Sequence, residues 1–223
     1  KQNGQGIHGV KYTLWVLTVD RDRQNYLVPG HILCMGIRSF VAIDCVEGEM
    51  SPKFLEVQGR LKVTGARMKL VEPENIHLTV KFLGDIEDSQ VEEISRVIEG
   101  ISFDPFEFRV EGVGVFPNLR RPSTIWAGIT EGVGELAEVF GKVNDGLSKL
   151  GFEKDRRRFQ PHLTVARVRG GENRDRLVEE LMNLENYEFG TVKVGRIALK
   201  KSVLTRSGPI YTTLTESKPP TDF

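Results

Sequence analysis

Ile76, Leu78, Val80 and Phe82 recur at a spacing of two, and Leu163 and Val165 do the same in a second run. A strand turns successive side chains to opposite faces, so these runs predict half-buried strands. The first spans Ile76 to Leu83 and ends at Gly84; the second lies within Arg157 to Val168. Similar patterning predicts strands at Arg38 to Asp44, Arg67 to Val71, Phe106 to Phe116, Thr124 to Ile129 and Glu188 to Leu199. A hairpin follows over Lys201 to Leu214, turning through Ser207-Gly208-Pro209. Gly112 and Gly114 interrupt the Phe106 run, which implies a bulge or the close approach of another backbone. Helical spacing appears at Val91, Ile94, Val97 and Ile98, and again at Leu136, Val139, Phe140, Val143, Leu147 and Leu150. Ser51-Pro52 supplies a cap and first position for a helix reaching Val63, and Asn173 to Leu184 also reads as helix.

The order strand, helix, motif strand, helix, strand occurs twice. Phe40 precedes His77 by 37 positions and Trp126 precedes His162 by 36. Phe106-Glu107-Phe108 returns as Tyr187-Glu188-Phe189, 81 positions later, and at the same offset Val113-Gly114 matches Val194-Gly195. Duplication of this kind packs as related lobes about a pseudo-twofold axis. The expectation is an α+β fold: two pseudo-symmetric lobes, antiparallel sheets lining a central cleft, helices outside. One bilobal domain would span 35–216, with halves of about 38–118 and 123–214 and a loose tail at 217–223. Residues 1–34 have no counterpart in the repeat; Tyr12 to Val19 could form one strand. They read as a doubtful extension, with Met35 the expected start and an added edge strand the rival reading.

Of 223 residues, 39% are hydrophobic and 28% charged, enough apolar content for one domain or two small lobes with a core. A formal charge of zero argues against nonspecific binding along a duplex and leaves room for a local basic patch. Cys34 and Cys45 stand in no metal or redox spacing and read as single buried thiols, which fits a cytoplasmic address. No apolar run approaches the roughly 18 residues a membrane span requires.

The repeated tetrapeptide carries the chemistry. His77-Leu78-Thr79-Val80 returns as His162-Leu163-Thr164-Val165, 85 positions later. On a strand each histidine shares a face with its threonine while Leu and Val face the core. Two imidazoles flanking one phosphate can divide the proton transfers, one activating water and the other protonating the departing oxygen. The threonine hydroxyls can donate to the non-bridging oxygens as charge builds there. Such a site needs no metal or cofactor if the leaving group is protonated as it departs, and a strained five-membered cyclic phosphodiester suits it. A zinc site, with Asp44 joining both histidines, is the weaker rival, because close-spaced ligands are missing. His8 and His31 have no matching context. Lys81 shares strand parity with His77 and Thr79 if no bulge intervenes. Arg156 and Arg158 share parity with His162, and with Arg120 they could form a rim for RNA phosphates. Phe116, beside a turn, is a candidate for stacking a base; Trp126 fits the core better.

The text around both motifs resembles the two-histidine phosphoesterases. RSFVAID (38–44), VEPENIHLTVKFLGD (71–85), GVGVFPN (112–118), IWAGI (125–129) and FQPHLTVAR (159–167) are similar to the LigT-like RNA 2′,3′-cyclic phosphodiesterases, over about residues 37 to 214. The resemblance implies that His77 is the proton donor to the ribose oxygen, His162 the proton acceptor from water, and Thr79 and Thr164 the phosphate-holding pair. It implies hydrolysis of a terminal 2′,3′-cyclic phosphate to a 2′-phosphate, on RNA ends that include tRNA fragments; a monomer is the expected state. An ATP-independent 2′–5′ ligase of tRNA halves and an esterase of small cyclic nucleotides are the alternatives within enzymes. An RNA-end-binding module without turnover is the alternative of another class.

Overall fold

The computed structural model describes residues 36–45, 50–155, 159–206 and 208–218, and the backbone alone of 15–19 and 25–29. In the first unit, residues 1–36, strand β1 (Trp15–Val19) pairs antiparallel with β2 (Asn25–Pro29) in a two-stranded sheet of its own. The sequence pattern had suggested β1 but not β2. Every element that follows belongs to the second unit, residues 37–223.

That unit runs β3 (Ile37–Asp44), α1 (Met50–Val63), β4 (Met68–Leu70), a 3-10 turn at Pro73–Asn75, β5 (His77–Ile86), α2 (Asp88–Glu99) and β6 (Phe106–Phe116). It continues with β7 (Thr124–Glu131), α3 (Val133–Ser148), β8 (Leu163–Val168), α4 (Arg174–Asn183), β9 (Glu188–Val194), β10 (Ala198–Leu204) and β11 (Pro209–Glu216). The strands form one antiparallel sheet in the order β11-β10-β3-β5-β8-β7-β6-β9, with β4 on β8. The expected α+β class holds, with both motif strands at the sheet's centre. Among the described residues no helix is long and apolar enough to cross a membrane.

Two details differ from the sequence pattern. The run from Glu188 to Leu199 is not one strand but two, separated at Gly195-Arg196-Ile197, and the pieces lie far apart in the sheet: β9 pairs with β6, β10 with β3. Strand β5 also passes through Gly84, whose φ of 76° is open to a residue without a Cβ. The spatial halves therefore do not follow the sequence halves. β6, from the first, pairs with β7, while β10 and β11, from the second, complete the side that holds β3 and β5.

The halves meet at a narrow seam. Leu78 pairs with Leu163, and β4 continues along the same edge of β8 through Met68–Val168, Lys69–Arg167 and Leu70–Ala166. Gln58 on α1 closes the gap: its buried amide donates to the carbonyls of Val71 (2.7 Å) and Val165 (3.1 Å). Behind the seam Leu78, Val80, Leu163 and Val165 are all buried in one apolar core. Turning either motif strand over would expose two of these side chains, at about 3–6 kcal/mol. That cost holds each His-x-Thr pair on the opposite, open face.

Candidate active site

Extending the Leu78–Leu163 pairing by one residue each way sets His77 across from Thr164 and Thr79 across from His162. Directly opposed side chains on one face stand roughly 4.5–5.5 Å apart at Cβ. Residues 85 positions apart in sequence are thus brought to the two sides of one seam.

Both imidazoles are oriented by the same device. His77 Nδ1–H donates to the carbonyl of Asn75 and His162 Nδ1–H to that of Gln160, each at 2.7 Å. This fixes Nδ1 as the protonated nitrogen of the neutral ring and leaves Nε2 to exchange protons. His77 Nε2 lies 3.1 Å from Thr79 Oγ1. Aromatic rings brace each imidazole. Phe40 stands 5.0 Å from His77 and Tyr211 meets it edge-on at 5.2 Å. On the other side Phe116 meets His162 edge-on at 5.0 Å, with Trp126 at 6.4 Å. Phe116, the candidate for stacking a base, packs on Trp126 at 5.1 Å as well as on His162. Gly114 makes room for this wall, because a Cβ there would overlap the Trp126 ring.

Burial holds the proton affinity of His77 below the ordinary imidazole value, and Lys200 and Arg167 push the same way. The Asn75 carbonyl and the Asp44 carboxylate oppose them. Asp44 lies across from His77 in the sheet and forms an ion pair with Lys200 at 2.7 Å. Burial also raises the pKa of Tyr211, while Arg167 and Arg38 lower it.

The parity expectation for Lys81 fails. Val41 pairs with Lys81 but Ala42 pairs with Thr79, so Val80 is an extra residue in β5, and this bulge reverses the alternation. Lys81 turns to the helix-covered face. There its ammonium donates to Asn144 Oδ1 (2.8 Å), the Glu153 carbonyl (2.8 Å) and Asp155 Oδ2 (3.1 Å). The second motif carries the same bulge: Ile125 pairs with Ala166 and Trp126 with Thr164, which leaves Val165 extra. Beyond the bulges Phe82 and Arg167, each five residues after its histidine, are the positions turned out from the core; Phe82 is 72% exposed. Arg167 is close enough to bias both His77 and Tyr211. Strict strand parity misses it; the equal offset from the two histidines is the signal that could have found it.

Arg120 is exposed in the turn between β6 and β7, where its carbonyl accepts a hydrogen bond from Arg174. Its guanidinium makes no hydrogen bond or ion pair with a described residue. Arg156 and Arg158 lie outside the described residues. Among the described residues no three His, Cys, Asp or Glu side chains are grouped to hold a metal ion.

Two histidine-threonine pairs opposed across one seam define a two-histidine phosphoesterase. The sequence matches the family model of LigT like phosphoesterases over residues 46–126 and 128–211, and the chain belongs to that family. A protein of Methanothermobacter thermautotrophicus named RNA 2′,3′-cyclic phosphodiesterase is 40% identical over 184 residues, covering 80% of this chain and 96% of its own. One of the same name from Aeropyrum pernix is 41% identical over 155 residues, 70% of this chain and 88% of its own. The crystal structure of TT0787 of Thermus thermophilus shares the fold with a TM-score of 0.69 at 24% identity, covering 81% of this chain and 97% of its own. So does E. coli LigT complexed with 3′-AMP, with a TM-score of 0.66 at 21% identity and the same coverage.

Proposed function

We propose that this chain hydrolyses the terminal 2′,3′-cyclic phosphate of RNA to a 2′-phosphate. The observation that carries the reading is the antiparallel seam, which opposes the two His-x-Thr pairs so that one phosphate can touch all four side chains. The curated relatives named RNA 2′,3′-cyclic phosphodiesterase support the substrate. His162 Nε2 takes a proton from water as its oxygen attacks phosphorus. The bond to the ribose 3′ oxygen breaks, and His77 Nε2 delivers the proton that oxygen needs. Thr79 and Thr164 donate to the non-bridging oxygens, whose charge grows in the five-coordinate state. Arg167 adds a fixed positive charge on the same face.

Incubation with a 2′,3′-cyclic nucleotide in EDTA tests this reading. The expected product is the 2′-phosphate, formed at a rate unaffected by the chelator. Tight binding without product would instead mark a module that recognises RNA ends.

The proton balance gives a second prediction. The productive form carries a proton on His77 and none on His162. Asp44 helps His77 keep its proton, so Asp44→Asn lowers the share of productive enzyme on the alkaline side, where His77 is losing its proton. On the acid side His77 is protonated in either case. The alkaline fall of kcat/KM should therefore begin at a lower pH in Asp44→Asn than in wild type, the direction in which loss of Asp44 moves His77. An alkaline limb that stays in place would remove His77 as the proton donor.

A further inference from the structure

The duplicated motifs are close to interchangeable, yet their surroundings are not. Beside His77 opens a cavity of about 430 Å³, lined by Asp44, Glu72, Glu74, Asn75, Lys200 and Tyr211 together with the start of β11. That volume lies within the usual range for small-molecule sites, about 300–1,000 Å³. Its charge is lopsided. Lys200 is neutralised by Asp44, while the exposed carboxylates of Glu72 and Glu74 form no ion pair with a described residue. These two carboxylate acceptors favour a donor-bearing group beside them. Tyr211 supplies a half-buried aromatic wall, held by Phe40 at 5.0 Å. Arg167 stands where Phe82 does, five residues after the second histidine, and its positive charge reaches both His77 and Tyr211.

We propose that this cavity seats the base and ribose of the nucleotide that carries the cyclic phosphate, and that Glu72 and Glu74 make it prefer guanosine to uridine. The inference rests on the phosphodiesterase reading and deepens it. In-line displacement puts the leaving ribose oxygen on the side of its proton donor, His77, which is the side where the cavity opens. A carboxylate is an acceptor only. Guanine presents adjacent N1–H and N2–H₂ donors that one carboxylate can take together. Adenine and cytosine offer a single amino group, and uracil flanks its one N–H with two carbonyl oxygens that a carboxylate repels.

The test is a comparison of KM and kcat for the four nucleoside 2′,3′-cyclic phosphates, using wild type and Glu72→Gln/Glu74→Gln. Wild type should show a KM for the guanosine compound about tenfold below that for uridine. The double variant should bring the two within about threefold. Calorimetry of wild type with guanosine 2′-phosphate and uridine 2′-phosphate should reproduce the preference without relying on the variant. Equal KM values in wild type, or a preference that survives in the double variant, would overturn the assignment while leaving the hydrolase reading intact. Failure to open any of the four compounds would remove the hydrolase reading and this one with it.

Discussion

His162→Ala and His77→Ala should each lose about 10²–10⁴-fold in kcat on a 2′,3′-cyclic nucleotide, the usual contribution of a positioned acid or base. Each variant removes one proton transfer from the same displacement. The double variant should therefore fall well short of the product of the two single losses. Little of the loss should come from unfolding. Both imidazoles lie on the open face, and each gives up one hydrogen bond to a local carbonyl, while the apolar residues that fix the strands stay in place. Rates near wild type in both variants would disprove the chemistry. Full loss in only one would mean that a single histidine carries both transfers.

Lys81→Ala should do the reverse, costing stability and sparing catalysis. The side chain is 3% exposed, and its ammonium satisfies the buried Asn144 amide oxygen and the Glu153 carbonyl. Truncation opens a cavity under α3 and removes the ammonium from both acceptors, leaving Asn144 Oδ1 only the longer bond from the Asp155 N–H, at about 3–4 kcal/mol. For a unit of this size the melting temperature should drop by roughly 10 °C. Measured below the melting range, kcat/KM should stay within about twofold of wild type, because the bulge at Val80 turns Lys81 away from the histidines. A large kinetic loss without a change in melting temperature would return Lys81 to the cleft.

The contrast between these two experiments shows which parts of the molecule were legible in the chain. Both motif strands, the helices and the α+β class follow from periodicity, because each apolar stripe has one core to face. The duplicated His-x-Thr pattern marks the two strands that the Leu78–Leu163 pair joins. Bulges are less visible. Val80 and Val165 are ordinary strand residues, and only the register shows that each is an extra one. Strand parity alone therefore puts Lys81 on the wrong face and misses Arg167. Strand partners are equally hidden: nothing local in Glu188 to Leu199 says that its two ends belong on opposite sides of the sheet.

The return of β10 and β11 to the side begun by β3 has a bearing on how the protein is made. Lys200 and Tyr211, which border His77, are contributed by strands translated after both motifs. A ribosome-bound chain can already hold both His-x-Thr motifs while still lacking the strands that wall in the first of them. The pocket beside His77 comes into being only once β10 and β11 have been made, so a product terminated before them would carry both repeated motifs and still be an unfinished catalyst.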